Sequence, residues 1–145
     1  PKGQGLLLAG GFRVAPFICY EVVYPDLVAQ NARNADLLVT ISNDSWFGAS
    51  IGPLQHLQMA RMRALETGRY LLRGTNNGIS AIIDHQGTVL QRSPQFEEAL
   101  LSGEAQIMLG STPAATYGTR PVISACALLL LIMLVMYHTF WRERD

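Results

Sequence analysis

The longest uncharged stretch of this chain is its strongest structural constraint. Residues 122–141 form an apolar run of 20 residues that contains no Asp, Glu, Lys or Arg. An α-helix rises about 1.5 Å per residue, so the run would reach roughly 30 Å, the thickness of the hydrocarbon core of a bilayer. A buried helix of a soluble core is the alternative, but such a helix rarely runs this far without a polar face. The sequence therefore predicts a transmembrane helix over 122–141.

The residues that flank this run agree with a membrane span. Arg120 stands before it, and Arg142 and Arg144 stand after it. Tyr137 and Trp141 lie near its end, where amphipathic rings favour the membrane interface. By the positive-inside rule, the small excess of arginine after the run favours a cytoplasmic tail.

The composition of the whole chain excludes several classes of protein. Its 145 residues suit one modest domain, and 11 basic residues balance 11 acidic ones. A neutral chain does not match a nucleic-acid-binding protein, and 49% hydrophobic residues argue against disorder. Two cysteines are too few for a disulfide scaffold. The chain begins without Met or a signal-peptide pattern, so we expect it to be the C-terminal piece of a longer protein.

Strand and helix patterns alternate before the apolar run, and they predict an α/β fold with helices packed on a sheet. Apolar runs bounded by turn residues predict strands over 6–9, 12–20, 36–42, 70–75, 79–84 and 88–91. Helical spacing and N-terminal prolines predict helices over 25–34 and 53–67. Gly10 and Gly11 fit a hairpin turn, and Pro16 requires a sheet edge or a bulge. Residues 110–121 are expected to form a loop.

Cys19 is the first candidate for chemistry, because it ends a predicted strand shortly before a predicted helix. A thiolate there could attack a carbonyl carbon while the N–H of Tyr20 donates to the oxyanion. If the strand continues, Glu21 shares a face with Cys19, and its carboxylate could orient a group or tune a proton transfer. The alternatives are a small buried cysteine and a surface carboxylate. Cys126 lies inside the apolar run, so we expect it to be inert and not disulfide-bonded to Cys19.

Polar residues at the ends of predicted strands form a second group of candidates. Asn43 and Asp44 directly follow a buried strand, which is where α/β proteins place their sites. Trp46 and Phe47 come next and could form an apolar wall for a substrate. Asn76 follows the next strand in the same way. The alternative in each case is an ordinary capped turn, with aromatic rings that fill the core.

The remaining titratable residues indicate no bound metal. His56, His85 and His138 show no metal-ligand spacing with one another or with cysteine. We expect neither a metal ion nor a cofactor. The arginines at 61, 63, 69 and 73 are expected to form a solvated helix face and buried ion pairs, for example with Glu66.

Four segments together resemble a known family: residues 18–21 (ICYE), 38–48 (LVTISNDSWFG), 52–66 (GPLQHLQMARMRALE) and 75–78 (TNNG). In this order they resemble the apolipoprotein N-acyltransferases, the membrane branch of the nitrilase, or carbon–nitrogen hydrolase, superfamily. The resemblance covers residue 5 to about residue 145. It implies an α/β fold made of the C-terminal part of an α-β-β-α nitrilase-like sandwich over 1–112, a linker over 113–121, one transmembrane helix over 122–141 and a tail over 142–145.

The resemblance also implies an activity. Cys19 would take an acyl chain from a phospholipid as a thioester and pass it to the N-terminal diacylglyceryl-cysteine of an apolipoprotein. Tyr20 and Glu21 match residues that the family needs beside the nucleophile, and Trp46 matches an aromatic residue on the lipid-access side. Positions near the pocket are matched by Asn43, Asp44 and Asn76. The location implied is the bacterial inner membrane, with the catalytic domain on the periplasmic side.

The family's mechanism also uses a Glu general base and a Lys, both upstream of the cysteine. In this chain no Glu precedes Cys19, and Lys2 is the sole lysine. We therefore expect the base and the lysine to lie outside the chain, and the chain alone to be inactive. Two alternatives are a soluble amidase or nitrilase of the same superfamily, which would not need the apolar run, and a non-catalytic membrane-anchored remnant.

Overall fold

Six strands form one mixed sheet, in which the order of the strands follows the chain. The computed structural model describes residues 5–142; Lys2, the tail residues 143–145 and the side chains of Thr139, Trp141 and Arg142 lie outside this part. The strands are β1 (Leu7–Ala9), β2 (Phe12–Ile18), β3 (Leu37–Asn43), β4 (Leu71–Asn76), β5 (Ala81–Ile83) and β6 (Val89–Arg92). β2, β3 and β4 are parallel, and the other neighbouring pairs are antiparallel.

Two helices connect the parallel strands and cover one face of the sheet. Helix α1 (Pro25–Ala32) follows β2, and helix α2 (Gly52–Thr67) follows β3. Each begins with a proline in its first turn, and α2 ends before Gly68 in a left-handed conformation. The core lies between these helices and the sheet, and it includes Phe17, Val28, Leu38, Ala60 and Leu71. The prediction of an α/β fold is confirmed.

The opposite face of the sheet is apolar but open. Ile18 and Ile41 are register partners on β2 and β3, and they are 58% and 61% exposed. A sheet covered by helices on one face is half of an α-β-β-α sandwich, and residues 5–142 do not form the second half. This arrangement agrees with the prediction that the chain supplies part of a sandwich.

The edge position that Pro16 requires is present. β1 pairs with β2 only as far as Val14, so Pro16 lies beyond β1 and has β3 alone as its strand neighbour. The missing N–H of proline therefore interrupts no ladder on the β1 side.

The segment before the apolar run is more ordered than the predicted loop. A five-residue helix, α3 (Pro113–Tyr117), forms because the hydroxyl of Thr112 accepts from the N–H of Ala115 at 3.0 Å and caps its start. The prediction of a loop over 110–121 is wrong over these five residues and over 120–121, where the last helix begins. Arg33, directly after α1, donates to the carbonyl of Ala115 at 2.8 Å, and Asp26 of α1 accepts from the N–H of Thr119 at 3.0 Å. Both bonds fasten the segment to α1.

The apolar run forms one long helix, α4 (Arg120–Arg142). Residues 120–138 have a mean hydropathy of 2.2, and none of that stretch is buried inside the structure. The helix is long and apolar enough to cross a membrane. Because residues 120–138 are exposed, this part of the helix does not belong to the core of the α/β part described here.

Candidate active site

Cys19 lies where the chain turns sharply at the end of β2. The strand ends at Ile18, and a short 3₁₀ helix (Cys19–Val23) begins at Cys19 itself. The φ angle of Cys19 is 52°, in the left-handed region, which costs a residue other than glycine about 1–3 kcal/mol. Such strain persists only where the surroundings hold the residue in place. The thiol is partly exposed at this turn.

Glu21 is part of the turn rather than of the strand. The prediction that Glu21 shares a strand face with Cys19 depended on a continuing strand, and it is wrong because the chain turns at Cys19. Instead, Oε2 of Glu21 accepts from the backbone N–H of Ile18 at 2.7 Å. The carboxylate thus bridges the end of β2 and the 3₁₀ helix, and it fixes the turn that carries Cys19.

Asp44 lies at the end of β3 and is fully buried. Its Oδ1 accepts from the hydroxyl of Ser42 at 2.9 Å and is 3.0 Å from Nδ1 of His56. Its Oδ2 accepts from Nη2 of Arg73 at 2.7 Å, and both side chains of this ion pair are buried. A buried carboxylate is tolerated when it is paired and hydrogen-bonded in this way.

His56 is buried in α2 beneath the Cys19 turn, where its ring centroid lies 6.2 Å from that of Tyr20 and 6.3 Å from that of Phe47. Nδ1 of His56 donates to the carboxylate of Asp44, which accepts. Nε2 is buried and has no hydrogen-bond partner of normal geometry among the described residues.

The surroundings of His56 favour its neutral form. Burial and the positive charge of Arg73 lower the pKa of His56. They outweigh the hydrogen bond and charge of Asp44 and a hydrogen bond to the backbone of Cys19, all of which raise that pKa. The hydrogen bond to Cys19 means that the backbone of Cys19 lies next to the His56 ring.

Arg73 completes this buried group. Burial lowers its pKa, whereas the charge of Asp44, the hydrogen bond with Asp44 and Coulombic attraction to Cys19 raise it. The guanidinium nevertheless keeps its charge, because arginine is not deprotonated in proteins. Its Nε donates to the carbonyl of Ile79 at 3.2 Å.

Asn43 and Asn76 meet at the ends of β3 and β4, where they are register partners. Nδ2 of Asn76 donates to Oδ1 of Asn43 at 3.4 Å, and the carbonyl of Asn76 accepts from the N–H of Asp44 at 3.0 Å. Gly78 lies directly against Asp44, since a Cβ added there would be 2.5 Å from Oδ2. The segment 75–78 therefore closes over the buried carboxylate.

Trp46 stands apart from this buried group. It belongs to a short 3₁₀ helix (Ser45–Phe47) after β3, and it is 86% exposed, so it does not fill the core. Phe47 is 37% exposed and also contacts the ring of His56 edge-on. Trp46 is therefore the more accessible of the two loop aromatics to a ligand from outside.

The structure thus brings Cys19, Tyr20, Glu21, Asn43, Asp44 and Asn76 to one end of the sheet, and it adds two residues that the sequence reasoning did not assign to the site: His56 and Arg73. A signal for Arg73 was available, because a charged residue inside a buried strand needs a buried partner. The expected ion pair between arginine and Glu66 is present, with Nη2 of Arg63 at 2.8 Å from its Oε1.

The fold and the cysteine at the end of β2 correspond to a known class. The sequence model of the carbon-nitrogen hydrolase family matches residues 3–114, and the chain belongs to that family. The solved carbon-nitrogen hydrolase of Helicobacter pylori G27 matches with a TM-score of 0.60 at 15% identity, over 68% of this chain and 42% of that chain. The NitFhit protein of C. elegans matches with a TM-score of 0.57 at 22% identity, over 66% and 25%. These likenesses show the fold.

Within the family, the chain is homologous to apolipoprotein N-acyltransferases. It is 55% identical over 130 residues to that of Pseudomonas putida and 56% identical over 130 residues to that of Azotobacter vinelandii. These alignments cover 90% of this chain but 26% and 25% of the two relatives. The chain therefore spans about a quarter of the length of the curated relatives it matches. The predicted resemblance is confirmed.

Proposed function

We propose that the protein to which this chain belongs is an apolipoprotein N-acyltransferase that uses Cys19 as its nucleophile. The observation that carries the proposal is the placement of Cys19 in a left-handed turn at the carboxyl end of β2, in a chain homologous to these enzymes. A partly exposed thiolate in a fixed turn is suited to attack an acyl carbonyl.

The proposed reaction has two steps. In the first, the thiolate of Cys19 attacks the ester carbonyl of a phospholipid, a C–S bond forms, and the N–H of Tyr20 donates to the oxyanion. The C–O bond then breaks, and the lysophospholipid leaves with a proton while the acyl thioester remains. In the second step, the α-amine of a diacylglyceryl-cysteine attacks the thioester. A C–N bond forms, the C–S bond breaks, and Cys19 regains its thiol.

The other site residues take positioning and binding roles in this proposal. Glu21 keeps the turn at Cys19 closed through its hydrogen bond to Ile18. Trp46 offers an exposed apolar ring to the acyl chains of the lipid substrate. Asn43, Asp44 and Asn76 lie together at the ends of β3 and β4, and the proposal places them near the substrate pocket.

The proposed location is the bacterial inner membrane, with the α/β part on the periplasmic side. Support comes from α4, which is long and apolar enough to cross a bilayer, and from the membrane origin of both proposed substrates. Retention of the protein in membranes washed with alkaline carbonate is expected. Release by that wash would favour a soluble carbon–nitrogen hydrolase instead.

The printed chain alone is expected to give no turnover. Glu21 already accepts from the backbone of Ile18, and no lysine lies within residues 5–142. The proposal therefore assigns the general base and the lysine to residues outside this chain. If the printed chain alone did transfer acyl groups in a manner that depends on Cys19, Glu21 would be the first carboxylate to test as the base.

The deciding experiment traps the acyl-enzyme. The protein is expressed from its natural gene, incubated with phospholipid, and analysed by mass spectrometry for an acyl group on Cys19. We expect Cys19→Ser to reduce the yield by about 10³-fold or more, because a hydroxyl is a far weaker nucleophile than a thiolate. Cys126→Ser is the matched control and should acylate normally. A normal yield from Cys19→Ser would remove the assignment.

A further inference from the structure

The turn at Cys19 is supported from two sides. On one side, Glu21 accepts from the N–H of Ile18 at 2.7 Å. On the other side lies the buried ring of His56, adjacent to the backbone of Cys19. The left-handed φ of 52° at Cys19 is unfavourable in isolation, so these neighbours must hold it. Glu21 is already part of the proposed machinery, whereas His56 has no role in it.

The position of His56 is itself fixed by buried charges. Nδ1 of His56 and Nη2 of Arg73 share the carboxylate of Asp44, at 3.0 and 2.7 Å. Asp44 directly follows β3, Arg73 lies in β4 and His56 lies in α2, so the group ties the sheet to the helix. A side chain held by a buried ion pair has little freedom to move. The ring is therefore a rigid support under the turn.

Two buried polar atoms of this group have no hydrogen bond of normal geometry within residues 5–142: Nε2 of His56 and Nη1 of Arg73. A buried polar atom without a partner is costly and requires an explanation. The groups that face the ring are Asp44 directly after β3, Arg73 from β4, Cys19 and Tyr20 from the first 3₁₀ helix, and Phe47 from the second. Of these, Cys19 carries the proposed chemistry.

We infer that His56, anchored by Asp44 and Arg73, is a positioning residue that sets where the thiol of Cys19 points. The inference rests on the proposed role of Cys19 as nucleophile. Because His56 is only 3% exposed, we expect it to act through the backbone of the Cys19 turn rather than by contact with substrate. Removal of its Nε2 edge should therefore slow attack by the thiol without weakening the binding of substrate.

Two substitutions separate this role from simple packing. In His56→Asn the side-chain amide can still donate to Asp44 from near the Nδ1 position, but the Nε2 edge is gone. In His56→Gln the longer side chain places its amide near the Nε2 position. His85→Gln is the matched control, because His85 stacks on Tyr70 at 5.9 Å, away from this group.

The experiment uses the protein expressed from its natural gene, purified in detergent, and normalised to the folded amount. The first readout is the rate at which iodoacetamide alkylates Cys19, followed by peptide mapping and normalised to a cysteine-free peptide of the same protein. The second is the single-turnover rate and the KM of thioester formation from phospholipid. We expect His56→Asn to slow both rates by about tenfold or more at unchanged KM, since small displacements of a reacting group are costly. His56→Gln should recover part of the rate, and His85→Gln should match the wild type.

Each other outcome has a definite meaning. Wild-type rates per folded molecule in His56→Asn would overturn the inference, even if less folded protein accumulated. A raised KM with an unchanged rate would also overturn it. If alkylation of Cys19 depends on His56 but the wild type forms no thioester, the positioning role stands and the proposed acyl transfer fails.

Discussion

The sheet end around Cys19 has charged side chains in its interior, whereas the long helix α4 has apolar side chains on its outside. At the sheet end, Asp44 and Arg73 carry their charges into the interior, and each is paired there. On α4, apolar side chains lie on the outside, and none of residues 120–138 is buried. The buried charges at the sheet end are stable only with the partners that the folded chain supplies, whereas the stability of α4 depends on the medium that surrounds its apolar side chains. Substitutions of the same kind should therefore have different consequences in the two regions.

The largest effect is expected at the buried ion pair. Asp44→Asn leaves the guanidinium of Arg73 buried without a counter-charge, and removing one partner of a buried pair destabilises a protein by about 3–5 kcal/mol. The measurement is denaturant or thermal unfolding of the natural-length protein in detergent.

Asp36→Asn is the control for this prediction. Asp36 pairs with Arg13 at the surface, where the hydrogen bonds from Arg13 lower the pKa of Asp36 to about 2. Because solvent screens this pair, its loss should have little effect on stability. Equal effects of Asp36→Asn and Asp44→Asn would show that burial does not distinguish the two pairs.

A pair of leucines gives the next largest difference. Leu38 is fully buried in β3, and Leu38→Ala should destabilise the protein by about 2–5 kcal/mol, because it leaves a cavity. Leu130 on α4 is 62% exposed, so Leu130→Ala leaves no cavity in the described structure and should change unfolding much less. Comparable losses for both would mean that other protein segments pack on α4 as tightly as on β3.

Much of the fold could be predicted from the sequence, because its determinants are local. The period of the apolar residues and the prolines at helix starts placed all six strands and both helices of the α/β part within a few residues. Helix α3 was missed, because it depends on the cap at Thr112 and on bonds to α1 such as that from Arg33. A segment of only five residues is too short to show the helical spacing of apolar residues by itself.

The candidate site was only partly predictable, for a related reason. Cys19 and the segments at the strand ends were found from local motifs. The group formed by Asp44, His56 and Arg73 joins residues 12 and 29 positions apart, which meet only because β3, α2 and β4 pack together. The turn at Cys19 likewise has no local sign, since positive φ at a cysteine is rare.

A smaller effect is expected from the glycine that closes over Asp44. In Gly78→Ala, the new Cβ would lie 2.5 Å from Oδ2 of Asp44, so the buried carboxylate would have to move. Overpacking of this kind costs about 1–3 kcal/mol. Gly74→Ala is the control, because nothing lies within 4 Å of a Cβ added there. Unfolding of the two variants should differ by most of that amount, and equal stability would show that the contact is easily relieved.

The smallest expected effect is a change in the pH dependence of stability. Burial and the charge of Arg73 lower the pKa of His56 below its ordinary value of about 6.5. As the pH falls through that value, His56 becomes protonated in the unfolded chain but stays neutral in the folded chain. The unfolded state then binds more protons, so stability falls with falling pH, beginning near the ordinary pKa and continuing down to the lowered one.

His56→Gln removes this proton uptake, so its stability should fall less steeply than that of the wild type between about pH 7 and the lowered pKa. Unfolding free energies measured across that range provide the slopes, and His85→Gln controls for the general loss of one histidine. If the wild type and His56→Gln follow the same slope, the ring is no harder to protonate in the folded protein than in the unfolded chain. The buried site beneath Cys19 would then accept the positive charge of a protonated His56 as easily as a solvated surface does. The contrast between the sheet end and α4 would in that case depend only on the ion pair of Asp44 and Arg73.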